Sequence, residues 1–160
     1  MKILPSKVFP QCEFSQEQDI GFYNITPQGY EHIISLYLSK ETVKDDVSIA
    51  KAADFFDKLH HWDTFCRDVF ASVEEDGEDA EMIAEYFDFY KEEVPEVFGD
   101  SDISKLSIAD MIKSLKLVNM SSHGRENTQK FVVDFTLGYD QILCVHFDND
   151  SNLDYIAWES

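Results

Sequence analysis

The sequence predicts an α+β protein. An antiparallel sheet, built from an N-terminal hairpin and a C-terminal meander, carries two long helices and one short helix on one face. Three observations lead there. β-forming residues surround turn signals at both ends of the chain. Apolar residues in the middle recur at helical spacing. No internal repeat or long linker divides the 160 residues, so a single domain covering 1–160 is expected.

The segment up to Cys12 is expected to be irregular, punctuated by Pro5 and Pro10. From Asp19 the residues Ile20, Phe22, Tyr23 and Ile25 read as a strand. Pro27-Gln28-Gly29 is a turn signal, and Tyr30 to Leu38 reads as the second strand of a hairpin. From Val47 to Val73, Ala52, Phe55, Leu59, Trp62, Cys66, Val69 and Phe70 fall on one helical face. Asp46 or Ser48 suits its N-cap. Gly77 breaks the pattern, and Glu78 to Val94 forms the second helix, with Ala80, Ile83, Phe87, Tyr90 and Val94 inward. Pro95 and Gly99 end it.

Asp102 or Ser104 is expected to cap a short helix from Ser107 to Leu115, with Ile108, Met111, Ile112 and Leu115 inward. Leu115–Met120, Lys130–Thr136, Gln141–Phe147 and Leu153–Trp158 then read as strands. Ser121 to Asn127, Gly138 to Asp140 and Asp148 to Asn152 connect them. Ile142–Phe147 is apolar on both faces, as an interior strand should be.

Charge excludes whole classes of function. Thirteen basic residues against 32 acidic ones leave a net charge of −19. A protein that grips phosphate backbones needs a basic face, and so does one that docks on anionic lipid. Neither nucleic acid nor a membrane is therefore an expected partner. The hydrophobic fraction of 44% is too high for intrinsic disorder. Cys12, Cys66 and Cys144 are widely spaced and odd in number, which suits a reducing cytoplasm and neither a disulfide framework nor a zinc site. The proline-interrupted N-terminus does not read as a signal peptide.

The C-terminal third carries a resemblance. Leu115-Lys-Leu-Val118, Asp134-Phe-Thr-Leu-Gly138, Ile142-Leu-Cys-Val-His-Phe-Asp148 and Leu153-Asp-Tyr-Ile-Ala-Trp-Glu-Ser160 resemble the bacterial domain-of-unknown-function family numbered two thousand and four. That resemblance implies a small acidic protein ending in a β-meander, and it implies no catalytic residues. The chain departs from the pattern at Ser151-Asn152, where glycine is usual; Asn152 is expected to supply the positive φ. It departs again at Trp158, where a smaller residue is usual. A further similarity, in kind, is to bacterial immunity proteins, which neutralise toxins.

Four residue groups are candidates for function. Asp148-x-Asp150-x-Asn152-Leu153-x5-Glu159 meets the EF-hand calcium-loop pattern except that Leu153 stands at the required glycine. Its flanks read as strands rather than helices, so a hairpin turn is the competing reading. His60, Asp63 and Arg67 lie near one another on the first helix, with Asp57 and His61 sharing an adjacent face at i,i+4; salt bridging is the competing reading there. Cys144 and His146 share one strand face, and a Cys–His pair is chemically competent. The six glycines are isolated, so no phosphate-binding loop is present and no cofactor is expected.

The fourth group is the acidic segment. Residues 74–102 hold 13 acids and one base, Lys91, a net of −12. Residues 1–73 and 103–160 carry only −4 and −3. Glu78, Glu81, Glu85, Asp88 and Glu92 line the polar face of the second helix, with a solubilising surface as the competing reading. Tyr86, Phe89 and Met82 flank the acid, either as apolar anchors or packed under the first helix. The leading expectation is a non-enzymatic module that binds a basic protein, of the kind that neutralises a toxin. A small enzyme or metal site using His60/Asp63 or Cys144/His146 is the alternative.

Overall fold

The computed structural model describes residues 2–10, 12–15, 21–138 and 140–160. Two short strands, β1 (Lys2–Ile3) and β2 (Glu13–Phe14), pair in the N-terminal segment expected to be irregular. The main sheet has six strands in sequence order: β3 (Gly21–Ile25), β4 (Ile34–Leu38), β5 (Lys116–His123), β6 (Lys130–Thr136), β7 (Ile142–Phe147) and β8 (Leu153–Glu159). The expected Asp19–Ile20 start of the first hairpin strand lies outside the described residues, as does Tyr139 of the β6–β7 turn.

The α+β class and the hairpin-plus-meander plan are as expected, with one correction. The sheet is mixed: β4 and β5 run parallel, with Ser35 opposite Asn119 and Leu38 opposite Ser122. Parallel pairing needs a long crossover, and the stretch between those strands, which holds all the α-helices described, supplies one. β4 is also shorter than expected. Tyr30 and His32 leave the strand because the Tyr30 hydroxyl donates to Asp63 Oδ2 at 2.7 Å and His32 Nε2 lies 2.7 Å from the Leu117 carbonyl oxygen.

Among the described residues there are five α-helices: α1 (Lys40–Val43), α2 (Asp46–Asp57), α3 (Leu59–Ala71), α4 (Glu78–Glu93) and α5 (Ile108–Ser114). The single long helix expected over 47–73 is two helices broken at Lys58. No proline or glycine is there to break it. Instead the Phe55 carbonyl accepts the Trp62 indole N–H at 2.9 Å and the Lys58 N–H at 3.2 Å. A side chain inserted into the backbone ladder is a recognised cause of such a break. The caps also differ from expectation. Asp45 caps α2 by accepting from the Ser48 N–H at 2.9 Å. Ser107 and Asp110 form a capping box on α5, while Asp102 caps only a 3₁₀ turn over Ile103–Lys105.

Strand alternation divides the sheet into two faces. Phe131, Val133 and Phe135 of β6 and Leu143, Val145 and Phe147 of β7 are fully buried toward the helices. Phe55 of α2 stacks on Phe131 with ring centroids 4.4 Å apart, Phe70 of α3 meets Phe135 edge-on at 5.4 Å, and Tyr86 of α4 meets Trp158 at 5.7 Å. Each such ring contributes on the order of 1.5–3 kcal/mol through burial. α2, α3 and α4, which cover the two expected long helices, thus pack on one face of the sheet. Of the predicted core residues, Ile108 opens α5 and is 41% exposed, while Val69, Ala80 and Val94 are only half-buried. The opposite face of the sheet has no helix over it among the described residues.

Candidate functional site

α4 sorts its residues sharply. Ile83, Tyr86, Phe87 and Tyr90 are buried, whereas Glu78, Glu81, Glu85, Asp88 and Glu92 are exposed. The helix is fastened from within. The hydroxyls of Tyr86 and Tyr90 both donate to the Gln141 carbonyl, at 2.8 and 2.9 Å, and the Trp158 indole N–H donates to Gln141 Oε1 at 2.9 Å. Burial pushes the Tyr86 phenol strongly up, so it stays a neutral donor. Tyr86 is therefore a core residue; the expectation that it flanks the acid as a surface anchor is corrected. Phe89 is half-buried, packed edge-on against Trp158 and Tyr90, and Met82 also packs against the core.

The five carboxylates have no ion-pair partner among the described residues. At the start of α4, Glu74, Gly77, Glu78 and Asp79 line a hollow. Glu78, Asp79 and Glu81 occupy the first turn, where the helix dipole favours anions. Glu92 and Glu93 sit at the opposite end, where it disfavours them, with Lys91 the basic residue of the last turn. The acidic stripe is thus held on a rigid, well-anchored helix and faces water along its length.

The open face of the sheet is the second region with chemistry. Registers align one row across all six strands: Phe22, Tyr37, Ser121, Val132, His146 and Tyr155. The neighbouring row is Asn24, Ser35, Asn119, Asp134, Cys144 and Ala157. His146 stacks on Tyr155 with ring centroids 4.1 Å apart and planes at 11°. Asn119 donates to Asp134 Oδ2 at 2.7 Å, and the Cys144 thiol reaches Glu159 Oε2 at 3.5 Å. Asp134 Oδ1 and His146 Nε2 are buried without a hydrogen-bond partner. A shallow cavity of about 350 Å³, lined by Ser121, His123, Lys130, Val132, His146 and Glu159, opens here.

Burial drives Asp134, His123 and Cys144 of this face toward their uncharged forms. It raises the Asp134 carboxyl, lowers the His123 imidazole and pushes the Cys144 thiol strongly up, where nearby Asp134 and Glu159 push it further. Cys144 and His146 do share a face, as predicted. Yet a reactive cysteine needs a lowered pKa in an electropositive, accessible setting, and Cys144 is 1% exposed beside two carboxyl groups. His123 and Asp134 did not stand out in the sequence, and Glu159 stood out only as the last position of the calcium-like pattern. The signal was present as period-two alternation: Asn119, Ser121 and His123 on one strand, Lys130, Val132 and Asp134 on the next.

The remaining candidates make contacts that hold elements of the fold together. Asp63 accepts from Arg67 Nε at 2.8 Å and from the Tyr30 hydroxyl, while Arg67 donates to the carbonyls of Ile112 and Leu115 at 2.7 and 2.6 Å. The pair ties α3 to the end of α5. His60 is exposed and lies against the Tyr30 ring, with centroids 5.4 Å apart. Asp57, expected to face His61, instead accepts the Lys7 and Val8 N–H groups and holds the N-terminal segment.

In the calcium-like stretch, Asp148 Oδ1 accepts the Asp150 and Asn152 N–H groups, both at 2.9 Å, closing a hairpin turn. Cys144, on the preceding strand, reaches Glu159 across the β7–β8 ladder. The positive φ falls on Ser151, at 62°, rather than on Asn152. Among the described residues no three His, Cys, Asp or Glu side chains converge as metal ligands. Likewise, among those residues no helix is long and apolar enough to cross a membrane.

The two regions define a class: a two-layer α+β protein with an acidic helix on one side and an open, polar and aromatic sheet face on the other. No family model, curated protein or solved structure matches the chain.

Proposed function

We propose that this protein is a non-enzymatic binding module that captures a basic protein on the outer face of α4. We further propose that it acts in the cytoplasm as an immunity-type inhibitor of a basic toxin, without cofactor or nucleic acid. One observation carries the reading. Thirteen acids against one base lie in residues 74–102, and those on α4 form an exposed, unpaired stripe on a helix pinned from inside. Such a face steers a cationic partner and accelerates encounter, and it rejects partners of like sign. A solvated, solubilising coat would explain acidity spread evenly; here it is concentrated.

The alternative readings have less support. Thiol chemistry at Cys144/His146 faces a thiol driven toward its neutral form. A metal at His60/Asp63 faces an Asp63 whose two oxygens already serve Arg67 and Tyr30.

The test is capture of purified basic proteins, chosen first from any that the genes beside this one encode. Glu81→Lys, Glu85→Lys and Asp88→Lys together should weaken capture by about tenfold or more at low salt and by less at high salt. Undiminished capture by the triple variant overturns the reading.

A further inference from the structure

Beside the acidic stripe, between the end of α3, the first half of α4 and the start of α5, lies an apolar groove of about 300 Å³. Its walls include Ala71, Val73, Ala80, Ala84, Ile108 and Ala109, with Phe70, Ile83 and Ile112 at its floor. Phe70, Ile83 and Ile112 are buried in the core, so the floor is rigid; Ile108 is 41% exposed at the rim. The alanines keep the walls low, which lets another backbone approach closely. A helix lying in such a groove is read through anchors at i, i+3, i+4 and i+7.

The groove's surroundings say what would fill it. Glu75 forms part of its wall, and Glu74, Glu78 and Asp79 line the hollow that adjoins it at the start of α4. Glu81 and Asp88 neighbour Ala84 at i−3 and i+4 on the helix surface. Lys91 stands two turns beyond Ala84 on the same side, so the acid is densest at the end of the groove nearest Glu74–Asp79. A second copy of this chain would carry a net −19 of its own and bring like charge to like. An anionic lipid surface is opposed for the same reason.

We infer that this groove receives an amphipathic, basic helix of another protein, with apolar side chains against Ala80, Ala84 and Ile108 and Lys or Arg facing the acidic rim. The inference rests on the reading of α4 as a partner-binding face and adds the shape and chemistry of what binds. Charge brings the partner in; the groove supplies the desolvated anchor that a charged face alone lacks.

The experiment uses the full chain and two fluorescent synthetic peptides of identical leucine and lysine composition. One places the leucines on a single helical face; the other scrambles the order. Anisotropy titration should show the amphipathic peptide binding about tenfold or more tighter than the scramble. Ile108→Glu should erase that advantage even though it adds negative charge, and Ala84→Phe, which fills the groove, should do the same by a different route. Circular dichroism establishes that each variant is folded.

Equal binding of the two peptides to the wild-type chain overturns the groove. So does an advantage that survives both variants. If both peptides bind equally and the Glu81/Glu85/Asp88 reversal weakens both, the acidic face stands while the groove falls. If neither peptide binds, the groove proposal fails outright, and the acidic-face reading is then decided separately by the capture of purified basic proteins.

Discussion

The outer face of α4 and the open face of the sheet both carry ionisable side chains, and they treat charge in opposite ways. On α4 the carboxylates project into water from a helix whose other side is fixed by Tyr86 and Tyr90. On the sheet, Asp134, Cys144 and His123 lie among strand neighbours, and burial moves each toward its neutral form. Exposed charge acts at long range and is tuned by salt. Buried ionisable groups act through protonation and couple to stability. The first arrangement suits recognition of a charged partner; the second suits a pH-dependent sheet.

That contrast can be broken in four ways, taken from the largest expected effect to the smallest. Cys144 is expected to resist alkylation at neutral pH, its rate falling by about a hundredfold or more below that of the unfolded chain. Mass spectrometry after timed exposure to iodoacetamide reads it, and rapid labelling of the native protein would mean the thiol is neither buried nor neutral. Tyr86→Ala should destabilise by about 3–5 kcal/mol through the lost ring and the cavity it leaves. Urea denaturation measures this, and a near-neutral result would place Tyr86 at the surface after all.

The third way compares Asp134→Asn with the wild type across pH. The Asp134 carboxyl is raised in the fold, so the folded state holds its proton where the unfolded chain has released it. Wild-type stability relative to the variant should therefore decline as pH rises from about 4 toward the folded value. His123 acts in the other direction. Its imidazole is lowered in the fold, so its contribution is lost as pH falls below about 6.5, and His123→Gln should remove that loss. Thermal melts at a series of pH values separate the two; parallel curves would show that neither group feels its burial.

The smallest stability effect belongs to the acidic stripe. Glu81→Lys, Glu85→Lys and Asp88→Lys together should leave the melting midpoint nearly unchanged, because these side chains are exposed and unpaired. The same substitutions should cost partner capture heavily. A large drop in midpoint would show that the stripe holds the fold rather than a partner.

Much of the architecture was legible because it rests on periodicity. Ala52, Phe55, Leu59, Trp62, Cys66 and Phe70 fall at helical spacing, and all are buried. Lys130–Thr136 alternates as a strand and is one. The break at Lys58 was not legible, because it depends on the Trp62 indole reaching the Phe55 carbonyl across two turns. Tyr86 read as a flanking anchor because its hydroxyl partner, the Gln141 carbonyl, is 55 residues away in the chain. The acidic stripe was visible by counting; the apolar groove beside it was not, since three helices build it.

The sequence by itself determined the α+β class, most of the buried residues of the long helices and the location of the negative charge. These follow from local spacing and composition, which act over a few residues. The tertiary structure alone decided the parallel join of β4 and β5, the roles of Asp57 and Asp63 as structural ties, and the rows of polar and aromatic groups across the open sheet face. Each of these depends on strand register or on hydrogen bonds between distant residues. Register is set when the core packs, because a shift of one residue would turn every buried side chain to the opposite face.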